Sequence, residues 1–302
     1  MRIVFFGTPE FAAHSLKSIV QAGFQVVGVV TAPDRPAGRG QKMQASAVKL
    51  TALDLGLSIA QPEKLKSPEF QEQLRAWRPD LGVVIAFRML PEMVWSFPPM
   101  GTVYLHASLL PDYRGAAPIQ HAIINGESIT GLSTFKLVHE IDTGDILLQD
   151  SVAIEEDETG GSLHDKLMIN GAQTMVNTLV CLRDQSCQAR AQGGSSNKIA
   201  PKLNRDFCRL NPESESAVQC ERKIRALSPY PGAWIKSEWG DVKIWASQKP
   251  EERPEGSTFG LSVEGRELYV NCLLGRLRIS SLQLPGKSRI QASDFINGIK
   301  AG

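Results

Sequence analysis

Met1-Arg2-Ile3-Val4-Phe5-Phe6-Gly7-Thr8-Pro9-Glu10-Phe11 begins the chain with a short apolar run that halts at a glycine and passes into a helix-forming stretch. Gly7, Pro9 and Glu10 end the run well short of a signal sequence or a membrane span, so Arg2–Phe6 reads as a buried strand and no membrane association is expected. Pro9 stands near the start of the next element and Gly23 just past its end, which marks Pro9–Gln21 as a helix. The intervening turn is not Gly-x-Gly-x-x-Gly, so a dinucleotide cofactor is not expected.

The same strand-then-helix rhythm continues outward. Strands are predicted at Val26–Val30, Leu81–Phe87 and Thr102–His106, and helices at Ala45–Leu55 and Glu69–Arg75. Leu132–Val138 and Ile146–Ile154 extend the sheet, and Thr159–Arg183 reads as a long amphipathic helix that closes a first domain. This alternation implies an α/β domain over residues 1–183, a mostly parallel, Rossmann-like wound sheet covered by helices. Residues 184–205 are rich in Gln, Gly, Ser, Asn and Lys without sustained periodicity, and read as a linker. Beyond it come a helix at Glu215–Leu227 and closely spaced β-like runs at Ala233–Trp239, Val242–Ala246, Gly256–Val263, Leu268–Leu273 and Leu277–Leu284. Such spacing predicts a smaller β-barrel domain, OB-like, over 206–302.

The 302 residues, 42% of them apolar, suffice for a core in each of two domains. A formal net charge of +1 excludes a uniformly basic nucleic-acid coat, so RNA contact would rest on local patches. From Arg205 onward there are 15 Lys and Arg against 12 Asp and Glu, a weak basic bias that fits such contact. The five cysteines are scattered, lack the paired spacing of a zinc site, and read as reduced cytosolic thiols, so no metal is expected. The five tryptophans read as packing residues.

Two segments carry chemistry. His106-Ala107-Ser108-Leu109-Leu110-Pro111-Asp112-Tyr113-Arg114-Gly115-Ala116-Ala117-Pro118 leaves a predicted strand end, where ligands of open α/β sheets gather. A histidine there can serve in proton transfer, and Leu109-Leu110 can wall an aromatic ligand. In Ile141-Asp142-Thr143-Gly144-Asp145, a turn between strands, Asp142 can orient and charge-stabilise His106. Taken singly, such a histidine is more often structural and such an aspartate more often a turn residue. Ser108 lacks the Gly-x-Ser-x-Gly surround of a hydrolase nucleophile.

Together, His-x-Ser-Leu-Leu-Pro-x-Tyr-Arg-Gly-x-x-Pro and the later Asp-Thr-Gly-Asp resemble the signature of the folate-dependent formyltransferases. Three further segments are similar to the methionyl-tRNA formyltransferase family: the loop Thr31–Lys42 with Arg35, Arg39 and Lys42, the junction Ala200-Pro201-Lys202-Leu203, and Ser228-Pro229-Tyr230-Pro231-Gly232-Ala233-Trp234. The resemblance implies transfer of a formyl group from 10-formyltetrahydrofolate to the α-amine of methionyl-initiator-tRNA, in the cytoplasm and by a monomer. It implies a folate site at Phe87, Arg88, Met89 and Leu90 with Ser108, Leu109, Leu110 and Pro111. It makes His106 and Asp142 catalytic and assigns Arg35, Arg39 and Lys42, with Lys49 close by, to tRNA phosphates.

One position departs from the pattern. Two residues before the histidine the family has Asn, a donor to the formyl oxygen, and here stands Tyr104. Residues two apart on a strand face the same way, so Tyr104 is expected beside His106 in the site. Its hydroxyl also donates, but the larger ring is expected to crowd the formyl pocket and lower activity. Rival readings are an amino-sugar N-formyltransferase, a formyltetrahydrofolate hydrolase, and a catalytically silent folate or tRNA binder.

Overall fold

A computed structural model describes residues 1–37, 42–194 and 196–300. The chain runs through β1 (Arg2–Gly7), α1 (Glu10–Gln21), β2 (Gln25–Val30), β3 (Arg35–Ala37), β4 (Lys42–Gln44), α2 (Ala47–Asp54), β5 (Ile59–Ala60), α3 (Pro68–Trp77), β6 (Leu81–Ile85), α4 (Glu92–Trp95) and β7 (Thr102–His106). Next come β8 (Arg114–Gly115), α5 (Pro118–Ile124), β9 (Ile129–Lys136), β10 (Ile146–Ala153), α6 (Gly160–Arg183) and β11 (Ile199–Ala200). The rest holds α7 (Ala217–Ala226), β12 (Ala233–Ser237), β13 (Gly240–Ser247), β14 (Gly260–Glu264), β15 (Glu267–Asn271), β16 (Arg276–Gln283), β17 (Arg289–Gln291) and α8 (Ala292–Lys300).

The opening run forms an inner strand of a seven-stranded sheet of order β10-β9-β7-β6-β1-β2-β5. Pairing is parallel from β7 through β6, β1 and β2 to β5, and antiparallel between β7 and β9. Val4 and Phe6 join a core cluster with Leu74 and Trp77 of α3, whereas Ile3 and Phe5 face the other way. All four strand residues are fully buried, which explains an apolar run without polar alternation. Ser46 and Ser67 cap α2 and α3 by accepting from the amides of Lys49 and Phe70, contacts worth about 1 kcal/mol each. The strand predicted to reach Phe87 stops at Ile85, because Ala86 adopts a left-handed conformation with φ 46° and turns the chain out of the sheet.

By compactness the chain divides into two units. One comprises Met1–Arg114, Thr130–Val152 and Asp165–Lys198, and the other Gly115–Ile129, Ala153–His164 and Ile199–Gly302. In the second, β12-β13-β16-β15-β14 form an antiparallel path with β17 also paired to β16. Register shifts between Ile244 and Ala246 and between Ala246 and Ser247 bend this sheet, and β12 comes near β14, giving a curled, OB-like half-barrel. Its core includes Ile235, Ile244, Val270, Leu277 and Ile279, with Ile224 of α7 and Phe295 of α8. A capping box, in which Ser216 and Gln219 satisfy each other's backbone amides, starts α7. Among the described residues no helix is long and apolar enough to cross a membrane.

One sequence expectation needs correction, and two gain detail. Cys181 and Cys187 form a disulfide, so not all five cysteines are reduced thiols. α6 ends at Arg183 and the chain reverses through Gln185 at φ 54°, which brings the two Cα atoms within 5.1 Å. The remaining three, Cys208, Cys220 and Cys272, are free and buried. Second, the basic loop after Thr31 is a hairpin: β3 pairs antiparallel with β4, Arg35 opposite Gln44. Arg39 and the side chain of Lys42 lie outside the described residues. Third, the segment read as an unpacked linker is partly bonded into the first unit, where Ile146 and Arg190 exchange both backbone hydrogen bonds at 2.8 and 2.9 Å.

Candidate active site

His106 ends β7 and is 4% exposed. Its Nε2 donates to the carbonyl of Tyr113 at 2.9 Å, because a carbonyl can only accept, which leaves Nδ1 facing Asp142 Oδ2 at 3.9 Å. That separation is an ion-pair distance rather than a direct hydrogen bond. The carboxylate sits on a turn with two constraints. Asp142 itself takes φ 55°, and at Gly144 a Cβ would stand 1.7 Å from the carbonyl oxygen of Lys136. Glycine is therefore required there by close backbone approach, and the turn is pressed against the end of β9.

Tyr104, two residues before His106 on β7, is half-buried, and its ring lies 6.3 Å from the imidazole and 5.5 Å from Phe135. Burial, with the Asp142 charge acting in the same direction, pushes its phenol up to about 12. The hydroxyl therefore keeps its proton at neutral pH and remains a donor. The structure thus brings Tyr104, His106 and Asp142 together at the end of β7.

The segment after His106 is held from below by hydroxyl and amide side chains. Ser108, fully buried, donates from Oγ to the carbonyl of Asp112 at 2.6 Å, so that oxygen is spent on the loop. Ser133 of β9 donates to the Ser108 carbonyl at 2.6 Å and accepts from the Leu110 amide at 3.0 Å. Gln149 of β10 donates to the Leu110 carbonyl at 2.9 Å. Leu110 is buried, Pro111 and Leu109 are half-buried, and Leu109 opens onto a cleft of about 490 Å³ together with Ile146, Gln149, Gln188 and Arg190.

Phe87, Arg88, Met89 and Leu90 follow the turn at Ala86 and carry no strand or helix pairing, so their backbone is outside the sheet ladder. Phe87 packs on Phe6 with ring centres 5.9 Å apart, and Leu90 is buried. Met89 is 76% exposed. Arg88 donates to the carbonyls of Glu63 and Pro62 at 2.8 and 2.5 Å. Phe87 and Arg88 line a cleft of about 360 Å³ with Thr8, Pro33, Arg35 and Ser46. The predicted folate residues are thus distributed over two clefts, Phe87 and Arg88 on one and Leu109 on the other, whereas Arg35 shares the cleft of Phe87. Lys49, read as part of the cationic loop surface, is instead paired with Asp34 at 2.5 Å, and this holds the Asp34 carboxyl below the usual range.

Sequence reasoning missed Ser133, Gln149, Arg190 and Gln192, which act through side-chain contacts between distant segments and leave no periodic or motif signal. It also missed that left-handed backbone marks all three site segments, at Ala86, Tyr113 and Asp142. Non-glycine residues seldom adopt that conformation, and strain of this kind gathers at functional sites. In the second unit, a cleft of about 830 Å³ is lined by Arg205, Tyr230, Trp234 and Lys243 among others. The guanidinium groups of Arg205 and Arg209 lie 5.0 and 5.7 Å from the Trp234 ring centre, and Tyr230 is 81% exposed.

Comparison with known proteins agrees with this layout. The model of the formyl transferase family matches residues 1–179, and that of the formyl transferase C-terminal domain matches residues 202–300. A methionyl-tRNA formyltransferase of Flavobacterium johnsoniae is 44% identical over 304 residues, 99% of this chain and 96% of the relative. One from Bacteroides thetaiotaomicron is 42% identical over 311 residues, 99% of this chain and 96% of the relative. Among solved structures, HypX from Aquifex aeolicus in complex with tetrahydrofolic acid has the same fold (TM-score 0.68, 17% identity), covering all of this chain and 48% of that longer one. WlaRD, a sugar 3N-formyl transferase, also shares the fold (TM-score 0.68, 18% identity, 95% of this chain and 99% of that one). With both family models matched and near-full-length relatives above 40% identity, the chain belongs to the methionyl-tRNA formyltransferase family.

Proposed function

We propose that the protein transfers the formyl group of 10-formyltetrahydrofolate to the α-amine of methionyl-initiator-tRNA, in the cytoplasm. The observation that carries the reading is the grouping of His106, Asp142 and Tyr104 at one strand end beside the Ser108–Pro111 loop. The near-full-length relatives named for this reaction support it. In this reading residues 1–183 form the catalytic domain, 184–205 the connection, and 206–302 the tRNA-binding domain.

In the reaction the amine nitrogen attacks the formyl carbon and a C–N bond forms, producing a tetrahedral centre with oxyanion character. The bond from that carbon to the folate nitrogen then breaks, and tetrahydrofolate leaves with a proton gained at that nitrogen. The attacking amine supplies the balancing proton. In this reading His106 relays it, with Asp142, 3.9 Å from Nδ1, dispersing the positive charge of the protonated ring. Tyr104 supplies the donor to the oxyanion that an amide supplies in the family pattern. Its reach is wrong for that place, so the rate is set below that of a chain with Asn there. Phe87–Leu90 and Ser108–Pro111 hold the folate through backbone groups and apolar walls. Arg35, Arg39 and Lys42, with the Arg205, Trp234 and Lys243 cleft of the second unit, meet tRNA phosphates and unpaired bases.

The test is formyl transfer from 10-formyltetrahydrofolate to charged initiator tRNA. Formyl-methionyl-tRNA is the expected product. Formate release without any amine acceptor would instead identify a hydrolase, and formylation of an amino sugar in preference to the tRNA would redirect the acceptor.

A further inference from the structure

The stretch 188–198 looks like filler by composition, but its side chains reach the catalytic segments of the first unit. Gln192 is its best-connected residue. Its Nε2 donates to the carbonyl of Asp142 at 2.9 Å and to that of Gly144 at 2.8 Å. Its Oε1 accepts from Arg114, from Nε at 3.1 Å and from Nη2 at 2.5 Å. One amide thereby spends both of its donors on the strained turn that carries Asp142, and its oxygen on the arginine that follows the histidine loop. Arg190, two residues earlier, donates to Gln149, the side chain that holds the Leu110 carbonyl. Ser196 donates to Asp112 at 2.5 Å. These contacts tie together three segments that are distant in sequence: 106–114, 142–144 and 190–196.

The Asp142 turn needs such a fastener. Asp142, at φ 55°, is in a conformation that non-glycine residues seldom adopt and that persists where its surroundings enforce it. Close approach at Gly144 limits the turn from one side, and the two hydrogen bonds from Gln192 limit it from the other. The consequence falls on chemistry, because this turn sets where Asp142 Oδ2 stands, 3.9 Å from His106 Nδ1. We infer that Gln192 is a positioning residue for formyl transfer: it fixes the catalytic carboxylate against His106 without touching substrate. This rests on the proposed reaction.

Wild-type enzyme is assayed first for formyl transfer to methionyl-initiator-tRNA. If it makes no product, the proposed reaction fails, and Gln192 is then judged by hydrogen exchange alone. Gln192→Ala and Gln192→Glu follow, with kcat, KM for tRNA, thermal midpoint and amide exchange over 140–146 measured for each. Glu keeps the acceptor for Arg114 but has no amide hydrogens for the two carbonyls. Both variants are expected to lower kcat at least tenfold while KM for tRNA changes less than twofold, and to speed amide exchange over 140–146. Gln192→Asn, a shorter donor, is expected to recover part of the loss. The inference is overturned if Gln192→Glu keeps the wild-type kcat, or if exchange over 140–146 is unchanged in both variants. It is also overturned if the rate loss follows only a fall in the folded fraction shown by the thermal midpoint.

Discussion

Tyr104 is where residue chemistry and the proposed reaction pull apart. An oxyanion donor is worth about 2.7–4 kcal/mol of barrier, or roughly a hundred- to a thousand-fold in rate. The phenol stays protonated and can donate, since burial and Asp142 push it up to about 12. Two observations oppose a productive fit. Its ring is held 5.5 Å from the Phe135 ring at a tilt of 38°, and a phenol carries its hydroxyl several bonds beyond the point where an Asn amide ends. Tyr104→Asn is therefore expected to raise the rate of formyl transfer at least tenfold, measured as kcat with charged initiator tRNA. His106→Ala in that background should abolish the gain, because the two donors act on one centre. A rate left unchanged or lowered by Tyr104→Asn would mean that the phenol serves the oxyanion as well as an amide does, or that the chain has another activity. At this scale the resemblance of the His106 and Asp142 segments to the formyltransferase signature pointed to one site, and alternation along a strand put Tyr104 beside His106. Ser133, Gln149 and Gln192 were invisible, because each acts through one side chain on a segment far away in sequence.

Elements set what each of these side chains can reach, and α5 shows how much depends on context. His121 of α5 is buried, its Nε2 donating to the Pro201 carbonyl at 3.0 Å and its ring 5.1 Å from Phe207. Desolvation lowers its pKa from the ordinary 6.5, against a smaller opposing effect of the Pro201 hydrogen bond. A histidine depressed in the folded state contributes stability that is present above its unfolded pKa of 6.5 and is lost as pH falls through the folded value. The thermal midpoint of the wild type should therefore fall between pH 7 and pH 5. In His121→Gln, which keeps a donor for Pro201 and does not titrate, the fall should be shallower. Parallel midpoint curves for the two proteins would show that His121 does not carry the dependence. Its partner across 80 residues was not readable in the sequence. The same holds for element ends: periodicity located β6 and α6 but gave no sign of the left-handed turns at Ala86 and Gln185 that stop or reverse the chain. Only the second of those turns explains how Cys181 and Cys187 meet.

For the molecule as a whole, a net charge of +1 means that tRNA must be gripped by local groups, not by a general positive field. The candidate groups differ in what else they do. Lys49 is already neutralised by Asp34 and has little to offer a phosphate. Arg35 lines the same cleft as Phe87, so removing it would disturb both ligands. Arg39 lies between β3 and β4 in sequence, outside the described residues, and is the cleaner probe of the RNA contact. A cation bound to a phosphate releases a counterion, so its loss both weakens binding and flattens the dependence on salt. Arg39→Ala is thus expected to weaken methionyl-tRNA binding and to reduce the slope of log affinity against log salt by about 1. Folate binding, followed in the same variant by a direct titration, should be spared. Loss of both ligands in equal measure would mean that the hairpin shapes the folate cleft, and the RNA contact would then have to come from the Arg205, Trp234 and Lys243 cleft of the second unit.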